Sequence, residues 1–259
     1  MCGRFVLISP TDDLVAEFSI VDRPNLFPRY NIAPTTPVLV LLGDGPGVTH
    51  MRWGLIPAWV KDPAKFTLLI NARSETVAEK PSFRNAFRRR RCIVPADGFY
   101  EWRRQDGSKQ PYFIHRADGR LMAMAGIWES WMGPNGEEQD TVALLTTAAN
   151  EDIAAIHDRM PVILERDNYM RWMTTPEVEV TSLADLLRPS MNGTLAVRAV
   201  SSAVNAVRND GPELLEKVTG PEPTVPKDKM SVTSKPDGAT RVPSTSTSKE
   251  DDTGQLDLF

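Results

Sequence analysis

The chain has 259 residues, 41% hydrophobic and 25% charged, with a formal net charge of -4, ordinary values for a globular protein of one or two domains. No apolar run approaches the roughly 18 residues a membrane helix needs, and no cleavage-site pattern follows the N-terminal MCGRFVLISP. Cys2, Cys92 and three histidines offer neither a disulfide framework nor paired zinc-ligand spacing, so the expectation is a soluble, cytoplasmic protein with no metal, cofactor or membrane partner.

In chain order, the apolar run 38–42 lies between Pro37 and Gly43 and has the length of a buried strand. Residues 66–70 read the same way. Residues 83–91 follow Pro81-Ser82 and predict a short helix capped by Ser82. Strands are expected over 91–94 and, after Asp97-Gly98, over 99–103. Further strands are expected over 112–115, 122–128 and 141–146, with Asp118-Gly119 and Asn135-Gly136 as hairpin turns. Residues 149–156, 167–173 and 182–187 read as helices, the last capped by Ser182, and 194–200 as a late strand. Many strands on short turns with a few scattered helices predict a single α+β domain, with a mostly antiparallel, barrel-like sheet and peripheral helices.

From about Pro221 the composition turns to Pro, Ser, Thr, Lys and Asp. Such a stretch cannot offset its ordering entropy by burial. The expected organisation is a folded domain over 1–220 and a disordered tail over 221–259. The tail closes on Gln255-Leu256-Asp257-Leu258-Phe259. It resembles the QLxLF peptide by which bacterial proteins attach to the replicative sliding clamp. That resemblance implies clamp binding by Gln255, Leu256, Leu258 and Phe259, with a small polar site for Gln255 and an apolar pocket for Leu258 and Phe259. A real clamp motif would make the protein bacterial and nucleoid-associated.

Cys2 is the most informative residue. Removal of Met1 would leave a free α-amine beside the thiol, with unperturbed pKa values near ~8 and ~8.5. An aldehyde meeting this pair can form an imine, and the thiol can close on it as a five-membered thiazolidine, a ring closure favoured by proximity. Other candidates sit in short motifs. Asn71-Ala72-Arg73-Ser74-Glu75 lies where an apolar strand emerges into a loop. Glu101 stands in the aromatic stretch 95–102, where burial would suit it to proton transfer. His157 could shuttle a proton, and Arg159 could hold a phosphate. Trp53 and Trp59 offer indole surface for bases. Between Lys80 and Arg91 there are six basic residues and no acidic one, a patch that can hold a phosphate backbone despite the acidic total.

MCGRF, WGLIPAW, NARSE, PADGFYEW and HDRMPV occur in that order. Together they resemble the SRAP (SOS response-associated peptidase) family over roughly residues 1–210. The resemblance implies recognition of abasic sites in single-stranded DNA and covalent capture of the ring-opened sugar by Cys2. It implies a positioning role for Asn71, acid/base work for Glu101, and ring opening and proton transfer for His157. Arg4, Arg73 and Arg159 would hold phosphates, while Trp53 and Trp102 would stack on neighbouring bases. Weak lyase activity would follow from the imine. The alternative is a thiol peptidase with Cys2 as nucleophile, whose action could be limited to its own N-terminus; a non-catalytic DNA-binding module is a further rival.

Overall fold

The computed structural model describes residues 2–43, 47–105 and 107–219. The tail with its Gln255–Phe259 motif lies outside them. Alternating and continuous apolar runs form thirteen strands among the described residues, with three short α-helices between them. The chain opens with β1 (Phe5–Leu7), α1 (Thr11–Phe18), β2 (Arg29–Ile32), β3 (Pro37–Leu42) and β4 (Val48–Trp53). β5 (Asn71–Arg73), α2 (Arg84–Arg89), β6 (Arg91–Ala96), β7 (Gly98–Gln105) and β8 (Ser108–Arg116) follow. The last elements are β9 (Met122–Met132), β10 (Glu138–Ala148), β11 (Arg159–Pro161), β12 (Ile163–Leu164), α3 (Tyr169–Thr174) and β13 (Leu195–Ala199).

The strands sort into two sheets. One runs β13-β8-β7-β1-β2, antiparallel throughout. In the other, β10-β4-β3-β6-β9 closes on itself through the β9–β10 pairing, a barrel that leaves no free edge on those five strands. The fold is thus α+β with mostly antiparallel, barrel-like pairing. Two pairings are parallel: β4 and then β5 run along the same edge of β10, with Val142 opposite Trp53 and Leu144 opposite Asn71. One core cluster carries Cys2, Phe5, Trp53, Cys92, Ile114, Val142 and Leu144, residues drawn from both sheets.

Several expected elements are corrected. Residues 66–70 are no strand: a 3-10 turn at Pro63–Lys65 precedes them, and Leu69 makes only an isolated bridge to Leu55. Their apolar side chains serve different neighbours, Phe66 packing edge-on against Trp59 while Leu68 stays exposed. Residues 149–156 form successive turns rather than a helix, tied by Ala154 N–H to Asn150 O and His157 N–H to Ile153 O. Helix α2 forms as expected, but without a Ser82 cap. The 3-10 helix Glu177–Leu186 begins five residues before Ser182, so that serine caps nothing. Asn135-Gly136 does turn the β9–β10 hairpin. Asp118-Gly119 instead carries the chain from the first sheet to the second.

The basic run is also divided by the fold. Arg91 is buried, donating to the carbonyls of Trp172, Phe87, Arg88 and Thr175. Arg89 pairs with Glu177 and Arg90 with Glu129. The expected continuous patch thus reduces to exposed arginines such as Arg84 and Arg88.

Candidate active site

Cys2, three residues before β1, is drawn into the core. Extension of the β1–β7 pairing beyond Phe5 opposite Phe99 brings Tyr100 N–H to Arg4 O at 2.9 Å. The next residues towards the N-terminus therefore run beside Glu101. From the barrel side, Asn71 opens β5 and its Nδ2 donates to Cys2 O at 2.8 Å. Its Oδ1 is buried and accepts no hydrogen bond among the described residues. The Cys2 thiol is fully buried and lies 3.8 Å from Arg4 O. Burial first, and then the Glu101 carboxylate, push this thiol far above its usual range.

Glu101 faces His157, which arrives on the turns before β11. The distance from His157 Nε2 to Glu101 Oε2 is 4.0 Å. His157 Nδ1 accepts from the Arg159 amide at 2.9 Å, which leaves the ring proton on Nε2, the nitrogen facing Glu101. The Asp158 carboxylate stands 3.0 Å from the same Nδ1. Cys2, Asn71, Glu101 and His157, expected as one catalytic group, therefore converge from four separated segments.

The expected DNA-contact residues divide. Arg73 is exposed on β5. Arg159 lies in β11, and both its terminal nitrogens contact Glu75, at 2.5 and 2.8 Å. Its Nη2 also donates to Thr146 O at 2.6 Å. Arg4 is beside Cys2, but its guanidinium points into the protein, donating to Asn31 Oδ1 at 2.7 Å, Val204 O at 2.9 Å and Asn205 O at 3.3 Å. Trp102 is half-buried, with its indole N–H on Asn205 Oδ1 at 2.7 Å. Trp53 is corrected. It is 0% exposed, edge-on to Phe5, and its Nε1 donates to Ile70 O at 3.0 Å. An indole with no open face cannot stack on a base; here it fixes the residue before Asn71.

Residues 1–207 match the family of SOS response associated peptidases, SRAP. The chain belongs to the SRAP family. It is 42% identical over 222 residues to the abasic site processing protein YoqW of Bacillus subtilis (strain 168), covering 83% of this chain and 99% of that protein. Identity is 34% over 229 residues to the abasic site processing protein YedK of Escherichia coli (strain K12), covering 84% and 100%. With the abasic site processing protein HMCES of Gallus gallus it is 41% over 202 residues, covering 69% and 59%. The fold matches a crystal structure of a protein from Bacteroides thetaiotaomicron with TM-score 0.73 and 27% identity, covering 84% of this chain and 100% of that one.

Sequence reasoning did not assign roles to three residues of this SRAP site. Glu75 stands within the NARSE stretch and engages Arg159. Asn31 and Asn205 lie far from any motif in sequence, and only the fold brings them to Arg4 and Trp102. Among the described residues no group of three or more His, Cys, Asp or Glu side chains is placed to hold a metal ion. No helix among them is long and apolar enough to cross a membrane.

Proposed function

We propose that this protein recognises abasic sites in single-stranded DNA and, once Met1 is removed, captures the lesion's aldehyde on Cys2. The observation that carries the reading is the cluster in which Asn71 holds the Cys2 carbonyl, the Glu101 charge acts on the Cys2 thiol and His157 faces Glu101, together with relatives named for abasic-site processing. The α-amine of Cys2 attacks C1′ of the ring-opened sugar. The carbinolamine loses one water to give an imine. The thiol then adds across the C=N bond: sulfur bonds to carbon and the thiol proton passes to nitrogen. Glu101 and His157 are the groups at hand to move these protons, while Asn71 holds the Cys2 carbonyl in place. Its buried Oδ1 is an acceptor suited to an amine N–H. The imine also opens a route to strand scission by β-elimination, so weak lyase activity accompanies capture.

The surroundings of the thiol support this reading over the thiol-peptidase alternative. Attack on a peptide carbonyl needs a thiolate, which proteins obtain beside cations or helix N-termini. With Met1 in place, burial and then the Glu101 carboxylate raise the Cys2 thiol, while the N-terminal charge and the Arg4 carbonyl contact lower it, and the net direction is upward. A neutral thiol suffices when the imine carbon is already activated and held one ring-closure away. Arg73 and Arg159 supply positive charge for flanking phosphates, and the open part of Trp102 a surface for a base, while Arg4 is turned inward and braces the segment beside Cys2. The Gln255–Phe259 motif is a sliding-clamp address in the same proposal, raising the local concentration of the domain near single-stranded template.

The test is a denaturing gel of protein whose N-terminus is confirmed by mass spectrometry to begin at Cys2, mixed with single-stranded DNA bearing one abasic site. A heat-stable shifted band is expected only with the lesion. Cys2→Ala abolishes it, and Cys2→Ser, which cannot form the sulfur ring, leaves no stable band. Absence of a band from correctly trimmed wild type would sink the reading. Cleavage of unrelated peptides in trans would favour the peptidase.

A further inference from the structure

Glu75 lies between two arginines of the proposed DNA surface. Its two oxygens meet Nη1 and Nη2 of Arg159, the side-by-side geometry with which a guanidinium also grips a phosphate. The charge of Arg73, two residues earlier, acts on the same carboxylate. Arg159 is only 12% exposed in its side chain, and its Nε is buried with no hydrogen-bond partner among the described residues. Its remaining Nη2 donor is held by Thr146 O. A strand phosphate therefore has no open fork to enter at Arg159 while Glu75 is in place. Glu75 itself is about half exposed, so it can swing out to solvent without unfolding anything.

We propose that Glu75 occupies, in the DNA-free protein, the place that a backbone phosphate takes when a strand binds. It is thereby a residue that sets affinity for phosphodiester backbone. This rests on the reading of the site as a single-stranded-DNA site. The exchange is one anion for another on the same guanidinium. Undamaged strand, which offers phosphates but no aldehyde, must displace Glu75 and gains little by doing so. A lesion-bearing strand makes the same exchange and is then retained by the covalent bond. Glu75 thus biases the protein towards damaged DNA by weakening only the reversible step.

Fluorescence anisotropy of the full chain with an unmodified single-stranded oligonucleotide, read across a salt series, tests this. Glu75→Gln removes the charge and keeps the shape. It should tighten binding about tenfold at low salt, because one charge-assisted contact becomes free for phosphate. The slope of log affinity against log salt should steepen by about 0.7, the value for one further phosphate neutralised on a single strand. Glu75→Ala should move both quantities the same way, and Arg159→Gln placed on top of Glu75→Gln should erase the gain. Weaker binding, or an unchanged slope, in both single variants would overturn the inference, since Glu75 would then only orient Arg159. Wild type and variants that all lack salt-dependent binding would instead overturn the DNA reading of the site, and this inference with it.

Discussion

Asn71 shows how a single side chain can be fixed by two demands. Its Nδ2 holds the Cys2 carbonyl, and its buried Oδ1 faces the site without a partner among the described residues. An amide meets both demands because it carries a donor and an acceptor on one planar group. Asn71→Asp keeps the shape but replaces the donor with a second acceptor, so two oxygens would confront the Cys2 carbonyl. The expected outcome is a loss of about 1–3 kcal/mol of stability. A fall of roughly tenfold or more in the rate of abasic-site capture should accompany it, since misplacing the reacting group is costly in an intramolecular step. Thermal melts and a gel time course check the two parts. Capture at the wild-type rate would show that the Asn71–Cys2 contact is incidental.

At the scale of elements, what was legible in the sequence were the long strands. Strands β6 to β10 are all expected from the sequence, and the barrel strands β6 and β10 carry the runs Cys92-Ile93-Val94 and Val142-Ala143-Leu144-Leu145, buried residue after residue. Such continuous apolar runs announce themselves without any partner being known. Short elements did not: β1 is three residues long and α1 buries only Leu14, so neither has a periodic signal. Turn pairs were ambiguous for a different reason. Asn135-Gly136 and Asp118-Gly119 both place glycine at positive φ, yet only the first joins strands that pair. The dipeptide fixes the bend, while the sheets decide what it connects. The residues that the fold brings together around Cys2 lie in motifs legible in the sequence, whereas the burial of Trp53 is not, because aromatic residues beside glycine read alike whether they face a base or a core. Gly98 carries a consequence at this scale. A Cβ there would lie 2.4 Å from Ile114 O and 2.5 Å from Phe113 Cζ, so β7 and β8 could not keep their spacing. Gly98→Ala should destabilise the fold by about 1–3 kcal/mol, the range for overpacking. It should also slow capture, because Glu101 sits three residues along the displaced strand. An unchanged melting temperature would contradict this packing.

For the whole molecule, the core that joins the sheets encloses ionisable groups in their neutral forms. Cys2 and Cys92 are both fully buried, and burial raises both thiols well above their ordinary values. Burial likewise raises the phenols of Tyr100 and Tyr169. In the unfolded chain the thiols lose their protons near pH ~8.5 and the phenols near ~10. In the folded chain they keep them. Above those values the unfolded state therefore binds fewer protons than the native state, and unfolding becomes more favourable as pH rises. Their contribution to stability is complete below pH ~8.5 and declines upwards from there, at about 1.4 kcal/mol per pH unit for each fully ionised thiol. The acid limb has the opposite sign. Asp118, held down to about 2 by Arg116, loses its contribution as pH falls from ~4 towards that value. Cys92 separates the alkaline effect from the proposed chemistry, since it lies in the barrel core with its Sγ close against Gly126 and is not among the residues proposed for capture. Melts of wild type and Cys92→Ala between pH 8 and pH 9.5 should both fall with pH, the variant with about half the slope because one of two titrating thiols is gone. Equal slopes would mean that the Cys92 thiol reaches solvent in the folded protein and that the barrel core is open to water at that point.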